Sequence, residues 1–444
     1  MKQGQPERSM KRQHRQPRGQ FGGKSSAFGV RAPEERELAL IEMGARGDTL
    51  ADDGAGRSIY APYGLPGERV RVRLTGDRAE LLEVLAPSSE RQAPACRHFG
   101  RCGGCQLQHW NEAPYLAWKR ERVVEALVKR GLTVDVAPTI PAWGAGRRRA
   151  AFHADLRSGA MSFVERGGAQ LIGIAECPVL TPGLEAAALK LAPIARLFAP
   201  RRGDITLHCL ETAEGVDVAI KGAGYAGALD RKILESAAAA AEAAYLSRLS
   251  VNGEPIVTRA RPTVRMGRAV VAPPPGAFLQ PTALGEETLA VLAMQALAGA
   301  KRVVDLFSGI GTFALRAAEF AEVQAAESDV EMLAALKQAA DGAAGALKEV
   351  TTLRRDLLRT PLSSLEMKRF DAAIIDPPRS GAKLQIEQIA RAPVRKLAYI
   401  SCDPSSFARD VRVLIDHGFS LTRVTPVDQF RWSPHVEIVG AFER

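Results

Sequence analysis

The run Asp305-Leu306-Phe307-Ser308-Gly309-Ile310-Gly311-Thr312 decides the fold of the C-terminal part of this 444-residue chain. It follows the apolar pair Val303 and Val304, and an alanine-rich stretch comes after it, so it predicts a glycine turn between a buried strand and a helix that starts at Thr312. Such a turn lets the backbone approach a ligand closely at the N-terminus of a helix. A glycine turn with a purely structural role is the alternative.

Strands and helices alternate regularly from about residue 270 onward. Further strands are expected at 322–327, 351–354, 370–375 and 396–401. This alternation predicts a doubly wound, Rossmann-like parallel sheet, in which ligands bind beyond the carboxyl ends of the strands. The last two apolar segments, 421–425 and 436–442, have no helix between them and predict a terminal hairpin.

An acidic residue ends the strand after the glycine turn. Glu327 lies there, 18 positions past Gly309, where it can accept hydrogen bonds from ribose hydroxyls. The spacing Gly309-x-Gly311-x-x-Ala314 also satisfies the loose dinucleotide fingerprint. This motif alone therefore does not distinguish a nicotinamide or flavin cofactor from S-adenosylmethionine.

Two later strand ends carry the segments Asp376-Pro377-Pro378-Arg379 and Ser401-Cys402-Asp403-Pro404. A dehydrogenase needs no thiol at this edge, whereas methyl transfer to C5 of a pyrimidine needs a nucleophile, because that carbon is too electron-poor to react unaided. Cys402 suits this addition, and we expect the N-terminus of the helix after Pro404 to lower its pKa. A buried inert cysteine is the alternative, and Asp376 and Glu437 at the same edge count against it.

The first 33 residues form a basic arm. They contain eight Lys or Arg residues against Glu7, a net charge of +7 out of +10 for the chain. We expect this arm to be disordered, either holding nucleic acid through its phosphates or serving as a solubilising tail. No signal peptide and no apolar run of about eighteen residues is recognisable, so a cytoplasmic protein without a membrane span is expected.

Residues 38–88 are rich in glycine and predict short strands and tight turns. In the segment 70–74, Val70, Val72 and Leu74 share one face while Arg71 and Arg73 share the other. We interpret this as a small OB-like barrel with a basic outer face for single-stranded nucleic acid, with an ordinary solvated strand face as the alternative.

Four of the six cysteines, Cys96, Cys102, Cys105 and Cys177, bracket one stretch of the chain. A cytosolic chain with clustered cysteines more often holds a metal or a cluster than disulfides. One C-x2-C pair within four cysteines is as compatible with zinc as with iron, and zinc is the commoner metal for this spacing.

The separated motifs together resemble the successive signatures of the RNA (uracil-5)-methyltransferase family. The matching segments are 276–282 (Gly-Ala-Phe-Leu-Gln-Pro-Thr), 305–311, 376–379, 401–404 and 435–437 (His-Val-Glu). The run from Cys96 to His109, completed by Cys177, is similar to the iron-sulfur branch typified by 23S rRNA enzymes, and the barrel to its TRAM domain. The resemblance covers the chain from about residue 38 to the end.

The resemblance implies a role for each matching position. Cys402 corresponds to the nucleophile, Glu437 to the general base and Phe278 to a residue that stacks near the target base. The positions implied to contact S-adenosylmethionine are Gln280, Phe307, Gly309, Gly311, Glu327 and Asp376, with Asp356 near the adenine. The cysteine set, Cys96, Cys102, Cys105 and Cys177, is implied to hold a [4Fe-4S] cluster with a structural or RNA-recognition role. Thr312 departs from the family, because many relatives have Asn there.

The expected protein is a multidomain α/β enzyme that methylates C5 of a uridine in RNA, with 23S rRNA favoured over tRNA, and acts as a monomer. Its expected parts are the arm (1–33), the barrel (34–88), a central α+β module with the iron-sulfur loop (89–268) and a class I methyltransferase domain (269–444). The basic arm, the Arg71 and Arg73 face and residues 147–149 are expected to contact phosphates. A Rossmann oxidoreductase and a catalytically silent RNA-binding protein are the alternatives.

Overall fold

The structure is a computed structural model that describes residues 34–155, 160–199, 205–224, 230–343 and 345–444. The predicted arm, 1–33, lies outside the described residues. The described parts of the chain build three large sheets with separate apolar cores. Within them, no helix is both long enough and apolar enough to cross a membrane.

The N-terminal sheet has six strands in the order β1-β5-β6-β4-β3-β2. They are β1 (Glu34–Ala39), β2 (Glu42–Met43), β3 (Asp48–Asp52), β4 (Ser58–Pro62), β5 (Arg69–Thr75) and β6 (Arg78–Ala86). The two outer strands, β1 and β2, are consecutive in the chain and separated only by Leu40 and Ile41. This connectivity is compatible with the predicted barrel, and the OB-like and TRAM assignments stay predictions.

The prediction that the outer face of β5 is basic is wrong. Val70 and Val72 are buried and Arg71 and Arg73 face outward, as the alternation predicts. Each arginine, however, pairs with glutamates of the flanking strands: Arg71 with Glu37 and Glu83, and Arg73 with Glu35 and Glu80. Two positive charges are therefore matched by four negative ones, and this face offers no surplus positive charge to phosphates.

The central part begins with helix α1 (Glu112–Val128) and the short strand β7 (Ile140–Pro141), and then forms a seven-stranded sheet. Its strands and helices are β8 (Arg149–Ala154), β9 (Met161–Val164), β10 (Leu171–Gly173), α2 (Pro182–Ala188), α3 (Ala192–Leu197), β11 (Thr206–Thr212), β12 (Gly215–Lys221), α4 (Arg231–Ala243), β13 (Leu246–Val251) and β14 (Glu254–Thr258). The strand order is β10-β9-β8-β11-β12-β13-β14. The chain forms two short helices, α2 and α3, rather than one long helix, because Pro193 cannot donate the backbone hydrogen bond that a continuous helix requires.

The C-terminal part contains the predicted alternation of strands and helices. Its elements are β15 (Val264–Met266), β16 (Ala269–Val271), α5 (Ala283–Ala296), β17 (Arg302–Leu306), α6 (Ala314–Ala317), β18 (Glu322–Glu327), α7 (Val330–Gly342), β19 (Val350–Arg354), a 3-10 turn (Glu366–Arg369), β20 (Ala372–Ile375), α8 (Lys383–Arg391), β21 (Lys396–Ser401), α9 (Pro404–Asp416), β22 (Ser420–Asp428) and β23 (Glu437–Glu443). The helix expected from Thr312 starts two residues later and has only four residues.

The large C-terminal sheet has the order β19-β18-β17-β20-β21-β23-β22-β7. The first five strands are parallel, β23 runs antiparallel to β21 and β22, and the order reverses between β17 and β20. Helices α5, α6 and α7 cover one face, and α1, α8 and α9 cover the other. A reversal of strand order opens a crevice at the carboxyl ends of the strands, which is where such sheets bind ligands.

Helix α1 and strand β7 join this sheet although they precede the central sheet in the chain. β7 pairs in parallel with β22, and Val123 and Leu127 of α1 are buried in the same core as α8 and α9. Both elements fall in the range 89–268 that the sequence assigns to the central module. The domain ranges stay predictions. A division of the chain into consecutive ranges does not include the packing of α1 and β7 on the C-terminal sheet.

A buried ion pair fastens α1 to the end of β22. Lys119 Nζ lies 2.5 Å from Asp428 Oδ1, and both side chains are fully buried. Tyr115 donates its hydroxyl to the other oxygen of Asp428 at 2.8 Å. Burial lowers the pKa of Lys119 to about 8, although the charge of Asp428 opposes this shift.

We expect Lys119→Met to destabilise the protein by about 3–5 kcal/mol, because it leaves the Asp428 carboxylate buried without its counter-ion. Denaturant unfolding followed by tryptophan fluorescence measures this loss. Lys129→Met is the matched control at the end of the same helix, since the ion pair of Lys129 with Glu125 is exposed. Equal unfolding midpoints for the two variants would contradict the prediction.

Candidate active site

The residues predicted from separate motifs converge on the carboxyl edge of the C-terminal sheet. Phe307 follows β17, Glu327 ends β18, Asp376 follows β20 and Cys402 follows β21. Glu437 starts β23, which runs in the opposite direction and so reaches the same edge. The fold therefore places these five side chains around the crevice where the strand order reverses.

The glycine turn after β17 is shaped for close approach. Phe307, Gly309 and Gly311 all have positive φ, at 64°, 54° and 101°. A Cβ on Gly311 would come within 3.0 Å of the side chains of Leu315 and Leu336, whereas nothing lies within 4 Å of a Cβ built on Gly309. The chain therefore needs glycine at 311 for packing and leaves open space beside 309, where a ligand can approach the backbone.

The carboxylate of Glu327 is held rigidly beside this turn. One oxygen accepts from the backbone N–H of Gly309 at 3.1 Å, and the other from the N–H groups of Ser328 and Asp329 at 2.6 and 3.0 Å. These bonds orient the carboxylate at the end of β18, as binding of ribose hydroxyls requires. Asp356, predicted near an adenine, lies two residues past β19 and accepts from the N–H of Leu358.

Cys402 and Glu437 face each other across the β21–β23 ladder. Ser401 pairs with Ile438 in the antiparallel register, so Cys402, which follows Ser401, comes opposite Glu437, which precedes Ile438. Burial together with the negative charges of Glu437 and Asp376 raises the pKa of Cys402 to about 12. The expected lowering of this pKa by the helix N-terminus at Pro404 is therefore wrong, because burial and the charges of two carboxylates raise it.

A chain of hydrogen bonds between amides connects the two carboxyl groups. Gln280 donates to Asp376 Oδ2 at 3.2 Å and accepts from Gln429 at 2.6 Å, and Gln429 also donates to Glu437 Oε1 at 3.2 Å. Burial raises the pKa of Asp376 to about 7, and burial with the charge of Asp376 raises that of Glu437 to about 8. Sequence reasoning missed Gln429, since it belongs to no recognised motif and its only signal is its place in the loop before Glu437.

A cavity of about 360 Å³ joins the four cysteines to this site. Its lining includes Cys96, Cys102, Cys105, Cys177, Phe278, Gln280 and Glu437. All four thiols are free, and the described part of the chain shows no cluster of three or more His, Cys, Asp or Glu side chains arranged to hold a metal ion. The four cysteines are distant in sequence from Glu437, but they line the same cavity as Glu437 does.

The cysteine loop is hydrogen-bonded directly to the loop between β22 and β23. The backbone N–H groups of Gln106 and Leu107 both donate to the carbonyl of Trp432, at 2.8 and 3.0 Å. The loop also lies close to β9, where the backbone N–H of Gly103 donates to the carbonyl of Val164. A Cβ on Gly103 would lie only 2.7 Å from that oxygen, so this contact requires glycine. Cys105 is therefore adjacent to a direct link between the cysteine loop and the segment that leads to Glu437.

The three arginines at 147–149 have different environments. Arg148 forms an ion pair with the buried Glu286 and is not available to phosphates, so this part of the expectation is wrong. Arg147 and Arg149 line the cavity, and the guanidinium of Arg149 lies 4.5 Å from the ring centroid of Phe278. Phe278 itself is 53% exposed, so its ring is accessible to an incoming base.

Comparisons with known proteins agree with this geometry. A model of the tRNA (Uracil-5-)-methyltransferase family matches residues 268–443. An uncharacterized RNA methyltransferase of Caulobacter vibrioides is 46% identical over 417 residues, which cover 92% of this chain and 100% of that protein. The 23S rRNA (uracil(1939)-C(5))-methyltransferase RlmD of Chromohalobacter salexigens is 34% identical over 430 residues, which cover 90% of this chain and 87% of that protein.

A solved structure shares the fold. The crystal structure of the Pyrococcus abyssi tRNA (uracil-54, C5)-methyltransferase in complex with S-adenosyl-L-homocysteine superposes with a TM-score of 0.70 at 22% identity, covering 91% of this chain and 99% of that one. Fold and relatives together define a class I, S-adenosylmethionine-dependent methyltransferase that acts on RNA. Within that class, the chain belongs to the RNA (uracil-5)-methyltransferase family.

Proposed function

We propose that this enzyme forms 5-methyluridine in 23S rRNA, with Cys402 as nucleophile and Glu437 as general base. The observation that carries the mechanism is the opposition of these two residues across the β21–β23 ladder, at the edge where Asp376 also lies. The rRNA substrate is supported by the relative RlmD, and methylation of tRNA by the same residues is the second candidate.

Cys402 starts the reaction by adding to C6 of the uracil. Because its pKa is raised to about 12, the thiol is neutral near pH 7 and a base has to accept its proton as the C6–S bond forms. Asp376 and Glu437 are the carboxylates whose charges act on this thiol, and the proton goes to Asp376, so that Glu437 stays ionised for the later proton from C5. Addition at C6 moves electron density to C5, which makes that carbon nucleophilic.

The turn after β17 and Glu327 are placed to hold the methyl donor. S-adenosylmethionine, when bound, supplies a methyl group made electrophilic by its sulfonium. The open space beside Gly309 and the oriented carboxylate of Glu327 fit a nucleoside ligand of this kind. Phe307, Gln280, Asp376 and Asp356 are the other positions that we propose for this site.

Glu437 completes the reaction by removing the proton from C5. Elimination then restores the C5–C6 double bond and releases Cys402. The target base has to leave its stack to reach this buried edge, and the exposed ring of Phe278 is the proposed stacking partner.

Incubating the purified enzyme with labelled S-adenosylmethionine and separate 23S rRNA and tRNA tests the substrate. We expect 5-methyluridine, identified by mass spectrometry after nuclease mapping, at a single uridine of 23S rRNA. Total RNA from a deletion strain should lack the same modification. Labelling of tRNA alone would overturn the rRNA assignment, and labelled RNA without 5-methyluridine would overturn the reaction.

We further propose that Cys96, Cys102, Cys105 and Cys177 hold a [4Fe-4S] cluster. Four free thiols lining one cavity provide the donor set of such clusters, although zinc also accepts four thiolates. The cluster residues lie beside the cavity and the link to Trp432, which supports a structural or RNA-recognition role.

We expect protein purified without oxygen to be brown and to contain about four iron atoms per chain. Cys105→Ser should lose most of this iron and unfold at a lower temperature, since metal binding contributes directly to folding stability. Iron and acid-labile sulfide assays measure the content, and Cys209→Ala, at a buried cysteine outside the set, is the control. Colourless protein with stoichiometric zinc would refute the iron-sulfur proposal.

A further inference from the structure

Gln429 lies at the centre of the buried polar network that ends at Glu437. Its amide nitrogen donates two hydrogen bonds, to Gln280 Oε1 at 2.6 Å and to Glu437 Oε1 at 3.2 Å. Its own carbonyl oxygen has no partner among the described residues. Gln429 is fully buried and Glu437 is 5% exposed, so water does not readily replace these contacts.

Only one orientation of the two amides satisfies both ionised carboxylates. If the amide of Gln429 were flipped, its oxygen would face two acceptors, Gln280 Oε1 and Glu437 Oε1. If Gln280 were flipped as well, its oxygen would face Asp376 Oδ2 in turn. The observed orientation therefore gives Asp376 and Glu437 one amide donor each.

The backbone around Gln429 is fixed by independent contacts. Asp428, the preceding residue, is held by Lys119 and Tyr115, and its carboxylate also accepts from the N–H of Phe430 at 2.9 Å. On the other side, a Cβ on Gly285 would lie 2.5 Å from Gln429 Oε1, so the first turn of α5 closes over the amide. Gln429 therefore has little freedom to move away from the carboxylate.

We propose that Gln429 is a positioning residue for the general base: it holds Oε1 of Glu437 and so leaves Oε2 to take the proton from C5. This inference rests on the proposed function, in which Glu437 is the base. In the step concerned, the C5–H bond breaks and its proton goes to Oε2. The electron pair of that bond forms the C5–C6 double bond, while the C6–S bond breaks and its pair leaves on Sγ of Cys402.

The same donor favours the ionised form of the base. Burial and the charge of Asp376 raise the pKa of Glu437 to about 8, and the hydrogen bond from Gln429 acts in the opposite direction. Removing the donor therefore raises this pKa further. The other titratable or charged groups around the site include Asp376 and Cys402 at the sheet edge, Asp305 beside Asp376, Arg379 beside Cys402, and His435 two residues before Glu437. Arg147, Arg149, His98, Glu176 and His208 lie on the cavity wall.

The test compares Gln429→Met with Thr425→Val. Both replace a buried polar side chain by an apolar one of similar size in β22 or the loop after it. The hydroxyl of Thr425, however, has no hydrogen-bond partner among the described residues, and Thr425 pairs with Val439 rather than with Glu437 in the β22–β23 register. Rapid-quench reactions with labelled S-adenosylmethionine and substrate RNA separate formation of the methylated covalent species from its release. They are run from pH 6 to pH 10.

We expect Gln429→Met to form the methylated covalent species but to release it about ten- to hundredfold more slowly near pH 7, the effect of losing a hydrogen bond to a charged group. Release depends on ionised Glu437, so its rate rises with pH, and the rising limb should move to higher pH in the variant. A purely structural defect would lower the rate equally at every pH. Gln429→Asn keeps an amide too short to reach Glu437 and should show the same shift if the methionine variant folds poorly.

The positioning role would be overturned if the pH dependence of release in both Gln429 variants were the same as in wild type and in Thr425→Val. This result would leave the proposed function intact. Loss of covalent-species formation in the Gln429 variants would also overturn it, because Gln429 would then act before proton removal. Failure of the proposed function looks different, since the wild-type enzyme itself would then form no methylated covalent species.

Discussion

Replacing Cys402 with alanine is expected to abolish methyl transfer, by more than about 10⁴-fold, and to prevent any covalent link between protein and RNA. Without addition at C6, C5 never gains the electron density that it needs to react. Cys402 is also the thiol that lies opposite Glu437 in the β21–β23 register, and no other cysteine among the described residues lies at the end of a strand of this sheet. Methyl incorporation and denaturing gel electrophoresis with RNA measure the two effects.

RNA that contains 5-fluorouridine strengthens this experiment. Wild-type enzyme should add to the base and remain attached, because fluorine at C5 cannot leave as a cation. Cys402→Ala should form no such species, whereas Cys209→Ala should behave like wild type, since Cys209 lies buried in β11 of the central sheet. A stable adduct with Cys402→Ala would show that another residue is the nucleophile.

Glu437→Gln should block the reaction at a later point. The amide keeps the size and polarity of the side chain but cannot accept the proton from C5, so elimination should slow by about 10²–10⁴-fold. The variant should therefore methylate once and remain attached through Cys402, visible as a protein–RNA species of retarded mobility that carries the labelled methyl group. Losing a carboxylate beside the thiol should also make Cys402 easier to ionise, because Glu437 raises its pKa.

The pH dependence of wild-type release provides an independent check. Glu437 acts as a base only when ionised and its pKa is raised to about 8, so release should accelerate as pH rises through that value. The double variant Cys402→Ala, Glu437→Gln should show no retained species, which identifies the linkage. Near wild-type turnover of Glu437→Gln would place the base elsewhere, and Asp376, with a pKa raised to about 7, would be the next residue to test.

The position of the candidate site was predictable from sequence, since a residue that follows a buried parallel strand must lie at the carboxyl edge. The structure places β18 and β21 at the predicted residues, 322–327 and 396–401. Glu327 is therefore the last residue of β18, and Cys402 is the first residue after β21. The electrostatics were not predictable in the same way. The raised pKa of Cys402 depends on burial and on two carboxylates that only the tertiary fold brings close, and the helix N-terminus was the only influence visible along the chain.

Partners from other strands account for the remaining differences. The alternation in 70–74 correctly predicts which side chains face outward, but the glutamates that neutralise Arg71 and Arg73 lie on β1 and β6. The role of Gln429 is hidden for the same reason, because Gln280 is 149 residues away from it in sequence. The spacing of residues along one segment predicts which side chains share a face of a strand and which residues lie at an edge of the sheet. It does not predict contacts between strands, because these depend on the order of the strands in the sheet.

The ion pair between α1 and β22 has a consequence for how the protein is made. Lys119 and Asp428 are 309 residues apart, so a ribosome adding about 5–20 residues per second produces the helix many seconds before its partner. Until then Lys119 of α1 has no counter-ion. The C-terminal sheet thus closes only after β22 has been made, and a chain that stops before β22 would leave the buried Lys119 without its partner. Contacts of such long range also make folding slow, so we expect this enzyme to depend on chaperones while it is being synthesised.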